Sequence, residues 1–234
     1  MKCDTLLPGG DRLCVIEGAR MKKNEKQNLL IFGAGVYGLV AKEIAESMGV
    51  FGEIAFIDDN AKTAPDGLPV IGRFSDVQAL AAEYGNATVA IGNPEVRLRL
   101  IRTIEESGAY RVVSLISPHA YVSPTAQIEK GCIIEPMAVI HTGCKLGIGC
   151  LVSAGAVINH VSQCCDGVHI DCNATVAGYT CVPQKTKVES GTVYRNQAIS
   201  AKEMFAPIKN DTSTKRPHGP LPIDGLTYSF EDGM

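Results

Sequence analysis

The sequence predicts two domains: an N-terminal α/β domain with a small parallel sheet, and a C-terminal parallel β-helix. Over residues 28–115 short apolar runs alternate with helical patterns, as expected for a parallel sheet covered on both faces. From Ile116 onward the hydrophobic period becomes six. Neither an α-helix nor a flat strand produces that period, which is typical of a β-helix.

The elements of the first domain follow from periodicity and from start signals. This domain, residues 28–115, is about half the size of a full dinucleotide-binding domain, so its predicted fold is half-Rossmann-like. Ser75 is the predicted N-cap of the middle helix, and Pro94 is predicted to open the last one. The predicted strands are NLLIFGAG, EIAFIDD, ATVAIGN and RVVSLI. The predicted helices are VYGLVAKEIAESMG, SDVQALAAEYG and PEVRLRLIRTIEESG.

The second domain, residues 116–193, consists of thirteen hexads in unbroken phase. With one exception each hexad begins with an aliphatic residue, and with one exception Ala, Cys, Ser or Thr follows four residues later. Such an alternation lets large and small side chains fill a narrow prism. It predicts packing roles for four cysteines, since a free cysteine behaves as a small buried hydrophobe. These are Cys132, Cys144, Cys150 and Cys164.

Composition and the termini exclude several classes of protein. The net charge is -3 and the sequence has no Lys/Arg-rich block, so it lacks the basic patch expected of a nucleic-acid-binding protein. No segment approaches the roughly 20 apolar residues that span a bilayer, and residues 1–27 lack the apolar core of a secretory signal. We therefore expect a cytoplasmic protein with reduced thiols. Residues 1–27 are predicted to be a flexible leader, and residues 194–234 a loosely held extension.

The layout of the chain resembles the NeuD/PglD-type sugar acetyltransferases. The resemblance rests on IFGAGVYGLV with a later IDD and AIGN, followed by an uninterrupted hexapeptide domain. Within that domain NH is followed nine residues later by HI, and then by AG. The resemblance covers residues 28 to about 202. It implies a left-handed β-helix with coils of three hexads, acetyl-CoA as the acetyl donor, and a homotrimer with active sites between subunits.

The resemblance makes His160 the general base, and His169 a residue that positions the acetyl group or the substrate. Gly178 follows one coil after His160, so we expect it directly over the imidazole, with its backbone N–H free to donate to the thioester oxygen. His169 lies half a coil away, on another side of the prism, which favours cooperation across a subunit boundary. Ala201 and Lys202 belong to a degraded version of the family's last segment, and we expect them in the coenzyme A cradle.

Several features depart from the family pattern. Val161 stands where an acidic residue commonly orients the catalytic histidine, so Asp166 or Asp171 is the expected substitute. The repeat also ends about one coil early, which shortens part of the coenzyme A cradle. Without the family pattern, two surface histidines at this spacing could be there by chance.

A glycine loop joins the first predicted strand to the first helix. Its pattern is G-x-G-x-x-G, with two acids some twenty residues later, and read alone it is a dinucleotide fingerprint. By resemblance it instead holds the phosphates of a sugar nucleotide at the helix N-terminus, and the acids meet the nucleobase or ribose. The alternative is that the glycines only permit close packing. The predicted substrate-binding residues are Gly33, Gly35, Tyr37, Gly38, Asp58, Asp59, Gly92 and Asn93.

The leading functional hypothesis is acetyl-CoA-dependent N-acetylation of a nucleotide-linked amino sugar for surface glycan synthesis. O-acetylation of a sialic acid or a similar sugar is the second, and a non-catalytic sugar-nucleotide-binding scaffold is the third. A metal-dependent hydratase on the same β-helix would need three histidines converging on zinc. His141, His160 and His169 have no suitable spacing, so no metal is expected.

Overall fold

A computed structural model of the chain describes residues 27–195. Most of the predicted leader and nearly all of the predicted C-terminal extension lie outside these residues, and so do Ala201 and Lys202. Within residues 27–195 no helix is both long enough and apolar enough to cross a membrane.

The described chain begins with a parallel sheet flanked by helices, as the alternating pattern predicts. Its elements are β1 (Gln27–Phe32), α1 (Val36–Met48), β2 (Phe51–Ile57), β3 (Val70–Gly72), α2 (Val77–Leu80), β4 (Asn86–Val89), α3 (Pro94–Ser107) and β5 (Arg111–Val112). The strand order is β3-β2-β1-β4-β5. Leu29 and Ile31 pack on the side of α1, while Leu30 and Phe32 pack on the side of α3. The sheet is therefore buried on both faces.

The two long helices end where the sequence predicts. The side chain of Asn93 accepts the backbone N–H of Val96 and caps α3, and Pro94 occupies its first turn. Gly49 after α1 and Gly108 after α3 both adopt the left-handed conformation that closes a helix C-terminus.

The middle helix is much shorter than predicted, and Ser75 is not its N-cap. A 3-10 turn covers Phe74–Asp76 and α2 adds only one turn. The carboxylate of Asp76, rather than the Ser75 hydroxyl, accepts the backbone N–H of Arg73 at 2.9 Å. Tyr84 is buried and donates to Glu53 at 2.8 Å, which draws the following chain toward β2 and ends the helix.

Residues 115–194 form a parallel β-helix of two-residue strands. The strands are β6 (Leu115–Ile116), β7 (Tyr121–Val122), β8 (Gln127–Ile128), β9 (Ile133–Ile134), β10 (Val139–Ile140), β11 (Lys145–Leu146), β12 (Leu151–Val152), β13 (Val157–Ile158), β14 (Gln163–Cys164), β15 (His169–Ile170), β16 (Thr175–Val176), β17 (Cys181–Val182), β18 (Lys187–Val188) and β19 (Val193–Tyr194). The first sheet is β6-β9-β12-β15-β18, the second is β7-β10-β13-β16-β19, and the third is β8-β11-β14-β17. This is the predicted left-handed β-helix of three-hexad coils.

The predicted last strand of the α/β domain, RVVSLI, is divided between the two domains. Val113 donates its backbone N–H to Ala87 of the α/β sheet, and two residues later Leu115 donates to Cys132 of the β-helix. The first strand of the β-helix thus spans the predicted boundary between residues 115 and 116. The chain changes sheets here because the outward side chain of Leu115 is buried under the α/β domain.

The inside of the prism has the predicted packing. All four predicted packing cysteines are at most 1% exposed and belong to the same apolar core as the aliphatic positions. Burial raises the pKa of the Cys150 and Cys164 thiols well above the ordinary value. These thiols therefore stay protonated and act as small apolar side chains.

The corners of the prism turn through residues in the left-handed conformation, one every six residues. Glycine adopts this conformation at no steric cost, but a β-branched or aromatic residue there is an outlier. Val161 and Tyr179 are such outliers, and both lie beside His160. The left-handed corner residues are Gly131, Met137, Gly143, Gly149, Gly155, Val161, Gly167, Asn173, Tyr179, Lys185 and Gly191.

The α/β domain covers the first sheet of the β-helix. The outward side chains of Leu115, Ile133 and Leu151 are fully buried and pack in one cluster with Leu29 and α1. The next outward residue in this column is His169, which pairs with Leu151 in register. His169 therefore stands at the edge of the domain contact.

Candidate active site

His160 lies in the corner between β13 and β14, with its ring held by the residue before it. Oδ1 of Asn159 accepts the backbone N–H of His160 at 2.8 Å and lies 2.7 Å from its Nδ1. Because the backbone N–H can only donate, the shared atom is the amide oxygen, and Nδ1 must carry a proton to bond to it. The neutral imidazole then has its lone pair on Nε2, where a general base needs it.

Neither of the two acids expected to orient His160 does so. Asp166 accepts the backbone N–H of Ile148 at 2.9 Å and stabilises a corner. Asp171 accepts the backbone N–H of Cys172 at 2.8 Å and forms an ion pair with Lys187 at 3.0 Å. Asn159 takes the orienting role instead, because its side chain comes from the corner that already contains the imidazole.

Gly178 lies over His160, as the coil spacing predicts. A Cβ atom on Gly178 would stand 3.0 Å from both Cε1 and Nε2 of the imidazole, so only glycine leaves this approach open. One coil earlier, at the position equivalent to Gly178, the backbone N–H of His160 donates to the side chain of Asn159. Gly178 instead follows Ala177, which has no side-chain acceptor, and its backbone N–H makes no hydrogen bond within residues 27–195.

If His160 is the base of the predicted acetyl transfer, we expect Gly178→Ala to lower kcat for that reaction about 100-fold, because the new methyl group displaces the imidazole and small misplacements of a catalytic group have effects of that size. Gly85→Ala is the matched control, since Gly85 is exposed and a Cβ there meets nothing within 4 Å. Steady-state kinetics of both variants give kcat, and thermal melting shows whether each variant is folded. Unchanged kcat in Gly178→Ala would contradict the assignment of this approach to the substrate.

His169 is half-buried on β15, and its Nε2 lies 3.1 Å from the hydroxyl of Ser153. Burial lowers the pKa of His169, and the nearby charge of Asp171 opposes this effect. A lowered pKa favours the neutral ring, which suits a hydrogen-bonding role toward an acetyl group or sugar. In a single chain His160 and His169 lie on different sides of the prism, as predicted.

Three histidines do not converge on one point in the described chain. The rings of His141 and His160 lie on neighbouring coils with centroids 6.3 Å apart. His169 lies on β15 of the first sheet, on a different side of the prism. Within residues 27–195 no group of three His, Cys, Asp or Glu side chains is placed to hold a metal ion.

The three glycines of the loop before α1 have different roles. A Cβ on Gly33 would stand 2.9 Å from the carbonyl oxygen of Ala90, and one on Gly38 would stand 2.2 Å from that of Gly33. These two glycines are required by strand and helix packing. Gly35 is exposed and precedes the first turn of α1, and a Cβ added there would meet no heavy atom within 4 Å. Open space for a ligand is therefore found only at Gly35 among the three.

The two acids after β2 hold backbone groups of the same loop region. Asp58 accepts the backbone N–H of Ala34 at 2.9 Å and those of Asn60 and Ala61 through its other oxygen. Partial burial works against ionisation of Asp58, but these three N–H groups lower its pKa. Asp59 accepts the backbone N–H of Phe74. Asp58 thus shapes the glycine loop, and contact of either acid with a nucleotide stays a prediction.

Tyr37 lies in the first turn of α1, facing the β-helix. Its hydroxyl is buried close to the carboxylate of Glu135, but the two groups lack the geometry of a well-formed hydrogen bond. Burial, followed by the nearby charge of Glu135, raises the pKa of this hydroxyl well above the ordinary value. Glu135 itself uses one oxygen to accept the backbone N–H of Ala154. The structure therefore brings Tyr37 of the glycine loop toward the sheet that contains His169.

The loop with Gly92 and Asn93 is tied to the β-helix by Arg97, which is fully buried. The guanidinium donates to the carbonyl oxygens of Ile91 and Gly92 at 2.7 and 2.8 Å. It also donates to the carbonyl oxygens of two β-helix corners, Gly149 at 2.7 Å and Gly167 at 2.8 Å. One side chain therefore fixes the loop against two successive coils. Burial lowers the pKa of Arg97, but a guanidinium stays charged at any physiological pH.

Sequence reasoning missed Asn159, Glu135 and Arg97. A signal existed for the first two, because each directly follows an inward aliphatic residue of the repeat and so occupies an outward corner. No local signal marks Arg97, which looks like any other helix arginine until its distant carbonyl partners are known.

Comparison with known proteins agrees with this architecture. Residues 28–104 match the family model described as the PglD N-terminal domain. The acetyltransferase domain of PglB from Neisseria gonorrhoeae, solved in complex with acetyl coenzyme A, is 32% identical with a TM-score of 0.70. That alignment covers 74% of this chain and 84% of the PglB chain.

A second solved structure shares the fold at lower identity. PerB from Caulobacter crescentus, in complex with CoA and GDP-perosamine, is 21% identical with a TM-score of 0.61, over 74% of this chain and 91% of that one. The fold, the matched N-terminal domain and the identity to PglB lead to one conclusion. The chain belongs to the NeuD/PglD-type family of sugar acetyltransferases.

Proposed function

We propose that the protein transfers the acetyl group of acetyl-CoA to the amino group of a nucleotide-linked amino sugar, with His160 as the general base. The observation that carries the proposal is the orientation of His160. Asn159 holds the tautomer with a free Nε2, and Gly178 leaves that nitrogen accessible. The PglB domain bound to acetyl coenzyme A and PerB bound to CoA and GDP-perosamine support both substrates.

In this mechanism Nε2 of His160 removes a proton from the amine as the nitrogen attacks the thioester carbonyl. The carbonyl oxygen becomes negative in the tetrahedral intermediate and accepts the backbone N–H of Gly178. Collapse of the intermediate breaks the carbon–sulfur bond, and the coenzyme A thiolate receives a proton from the imidazolium. His169, neutral and bonded to Ser153, positions the acetyl group or the sugar.

The sugar nucleotide is assigned to the glycine loop. Gly35 leaves open space at the start of α1, where unpaired backbone N–H groups attract phosphate. The hydroxyl of Tyr37 is assigned to a polar contact with the sugar, because it is buried beside Glu135 without a well-formed hydrogen bond. Gly92 and Asn93 border the same edge of the sheet, where ligands of open α/β folds bind.

The active site is proposed to form between subunits of a homotrimer. His160 and His169 lie on different sides of one prism, so a neighbouring copy is needed to bring a base to the glycine-loop half of the site. The second sheet also leaves apolar side chains exposed, including Tyr121 at 56% and Val193 at 53%. Val139, Val157 and Thr175 complete that outward column between them, so four of its five residues are apolar or aromatic. Burying such a column is the usual source of stable self-association.

Thiol release from acetyl-CoA tests the proposal. Purified protein is incubated with UDP-, GDP- and dTDP-linked 4-amino sugars, and with the corresponding 4-hydroxy sugars. We expect release with one amino sugar, none with its hydroxyl analogue, and normal release from His119→Ala, an exposed histidine of the first coil. Release only with hydroxy sugars would instead indicate O-acetylation. Nucleotide binding without any release would favour a scaffold.

A further inference from the structure

We propose that Tyr179 is a positioning residue for His160, held against the imidazole by a backbone conformation that an aromatic residue rarely adopts. This positioning role rests on the proposed acetyl transfer, whereas the contact between Tyr179 and His160 is independent of it. Tyr179 directly follows Gly178 and belongs to the coil stacked on that of His160.

The backbone of Tyr179 is strained. Its φ is +59°, in the left-handed region, where a bulky side chain is a genuine outlier. The same corner one and two coils earlier is occupied by Val161 and Gly143. Of the other ten left-handed corners within residues 27–195, glycine occupies six, and Asn173, Met137, Val161 and Lys185 occupy the rest, so Tyr179 is the one aromatic residue among them. A fold that has no need of an aromatic residue at this corner nevertheless has one beside its candidate base.

Two contacts join Tyr179 to His160. The backbone N–H of Tyr179 donates to the carbonyl oxygen of His160 at 3.1 Å. The two rings meet edge to face, with centroids 5.0 Å apart and planes at 88°. This is a favoured aromatic geometry, and Tyr179 remains 43% exposed. The ring therefore lies outside the apolar core of the prism, and its aromatic partner is the imidazole.

The ring supplies a constraint that the hydrogen bond of Asn159 does not. That hydrogen bond lies along one edge of the imidazole and fixes the tautomer, while the perpendicular Tyr179 ring limits rotation of the imidazole plane. Together they keep Nε2 under Gly178. Strain stored at a corner so that a catalytic group is fixed in place is a known use of outlier backbone conformations.

The proposal predicts that stability and activity change in opposite directions. Tyr179→Asn places a residue tolerant of the left-handed region at the corner, so Tm should rise by roughly 2–4 °C. The same variant should lose about 10–100-fold in kcat, with KM for the sugar nucleotide within about threefold, since no binding group is removed. Tyr179→Phe keeps the ring and should behave as the unaltered protein.

Lys185→Asn is the matched control. Lys185 is another exposed non-glycine residue in a left-handed corner, with φ +61°, and it lies away from His160. Its ion pair with Glu95, at 3.7 Å, is exposed and contributes little to stability. The Tm of this variant should rise by a similar amount, and its kcat should stay unchanged. Full kcat in Tyr179→Asn would overturn the proposal. So would a loss in Tyr179→Phe equal to that in Tyr179→Asn, because the hydroxyl rather than the ring would then be acting.

An NMR measurement keeps this test independent of turnover. In the unaltered protein the Hε1 resonance of His160 should show one sharp signal displaced by the Tyr179 ring current. In Tyr179→Asn the signal should shift and broaden as the imidazole samples further rotamers. An unchanged signal would refute the positioning role. Absence of turnover in the unaltered protein would refute the proposed function and leave this NMR result to decide on Tyr179.

Discussion

His160→Ala is expected to reduce kcat for acetyl transfer by about 100- to 10,000-fold, the range that a general base contributes. The variant cannot take the proton from the attacking amine, while the glycine loop and the approach beneath Gly178 stay intact. KM for the sugar nucleotide should therefore change much less than kcat. Thiol release from acetyl-CoA, measured with the best amino sugar, provides both constants.

Asn159→Ala separates the orienting role from the base itself. The variant keeps the imidazole but loses the acceptor at Nδ1, so the unproductive tautomer becomes populated and kcat should fall about 10–100-fold. His119→Ala controls for the loss of any surface histidine. If His160→Ala keeps kcat within about threefold of the unaltered protein, the general base is another residue. If Asn159→Ala has no effect while His160→Ala does, the tautomer is held by a group other than Asn159.

Arg97→Met is expected to lower the free energy of unfolding by about 3–5 kcal/mol, on the order of 1 kcal/mol for each hydrogen bond that is lost. The guanidinium donates to four backbone carbonyls, two in the Gly92 loop and two at corners of the β-helix. Methionine fills similar space but donates no hydrogen bond, so buried carbonyl groups lose their partners. Arg97→Lys should recover little, because a point ammonium cannot reproduce the planar fork of donors. Urea unfolding followed by circular dichroism measures the change.

Arg99→Met is the control for the Arg97 series. Arg99 lies on the same helix but is exposed, so its replacement should change the free energy of unfolding by less than about 0.5 kcal/mol. Arg97→Met should also weaken binding of the sugar nucleotide, since the Gly92 loop loses its anchor to the β-helix. Equal stability of the Arg97→Met and Arg99→Met variants would show that the four hydrogen bonds contribute nothing net to the domain contact.

The β-helix could be predicted from the sequence because its determinants are local and repeated. A narrow prism admits a large and a small side chain in turn, so each coil imposes the same requirement on every sixth residue. The long helices were also predictable, since Asn93 and Pro94 begin one, and Gly49 and Gly108 end the pair. The position of Gly178 over His160 followed from the constant length of the coil alone.

Predictions failed where a side chain from a distant part of the chain decides the local structure. The helix predicted from Ser75 is cut short because Asp76 closes a turn and Tyr84 is drawn toward Glu53. RVVSLI is divided because the α/β sheet and the β-helix compete for its backbone, and Leu115 must be buried between them.

By itself the sequence determined the two-domain architecture, the apolar filling of the prism and the spacing of the candidate histidines. Only the tertiary structure decided how the α/β domain sits on the first sheet, where the outward side chains of Ile133 and Leu151 are buried instead of exposed. It also decided that Asn159 orients His160 and that Arg97 joins the domains. The physical reason is that these contacts depend on which outward faces meet, and a six-residue period specifies only what points inward.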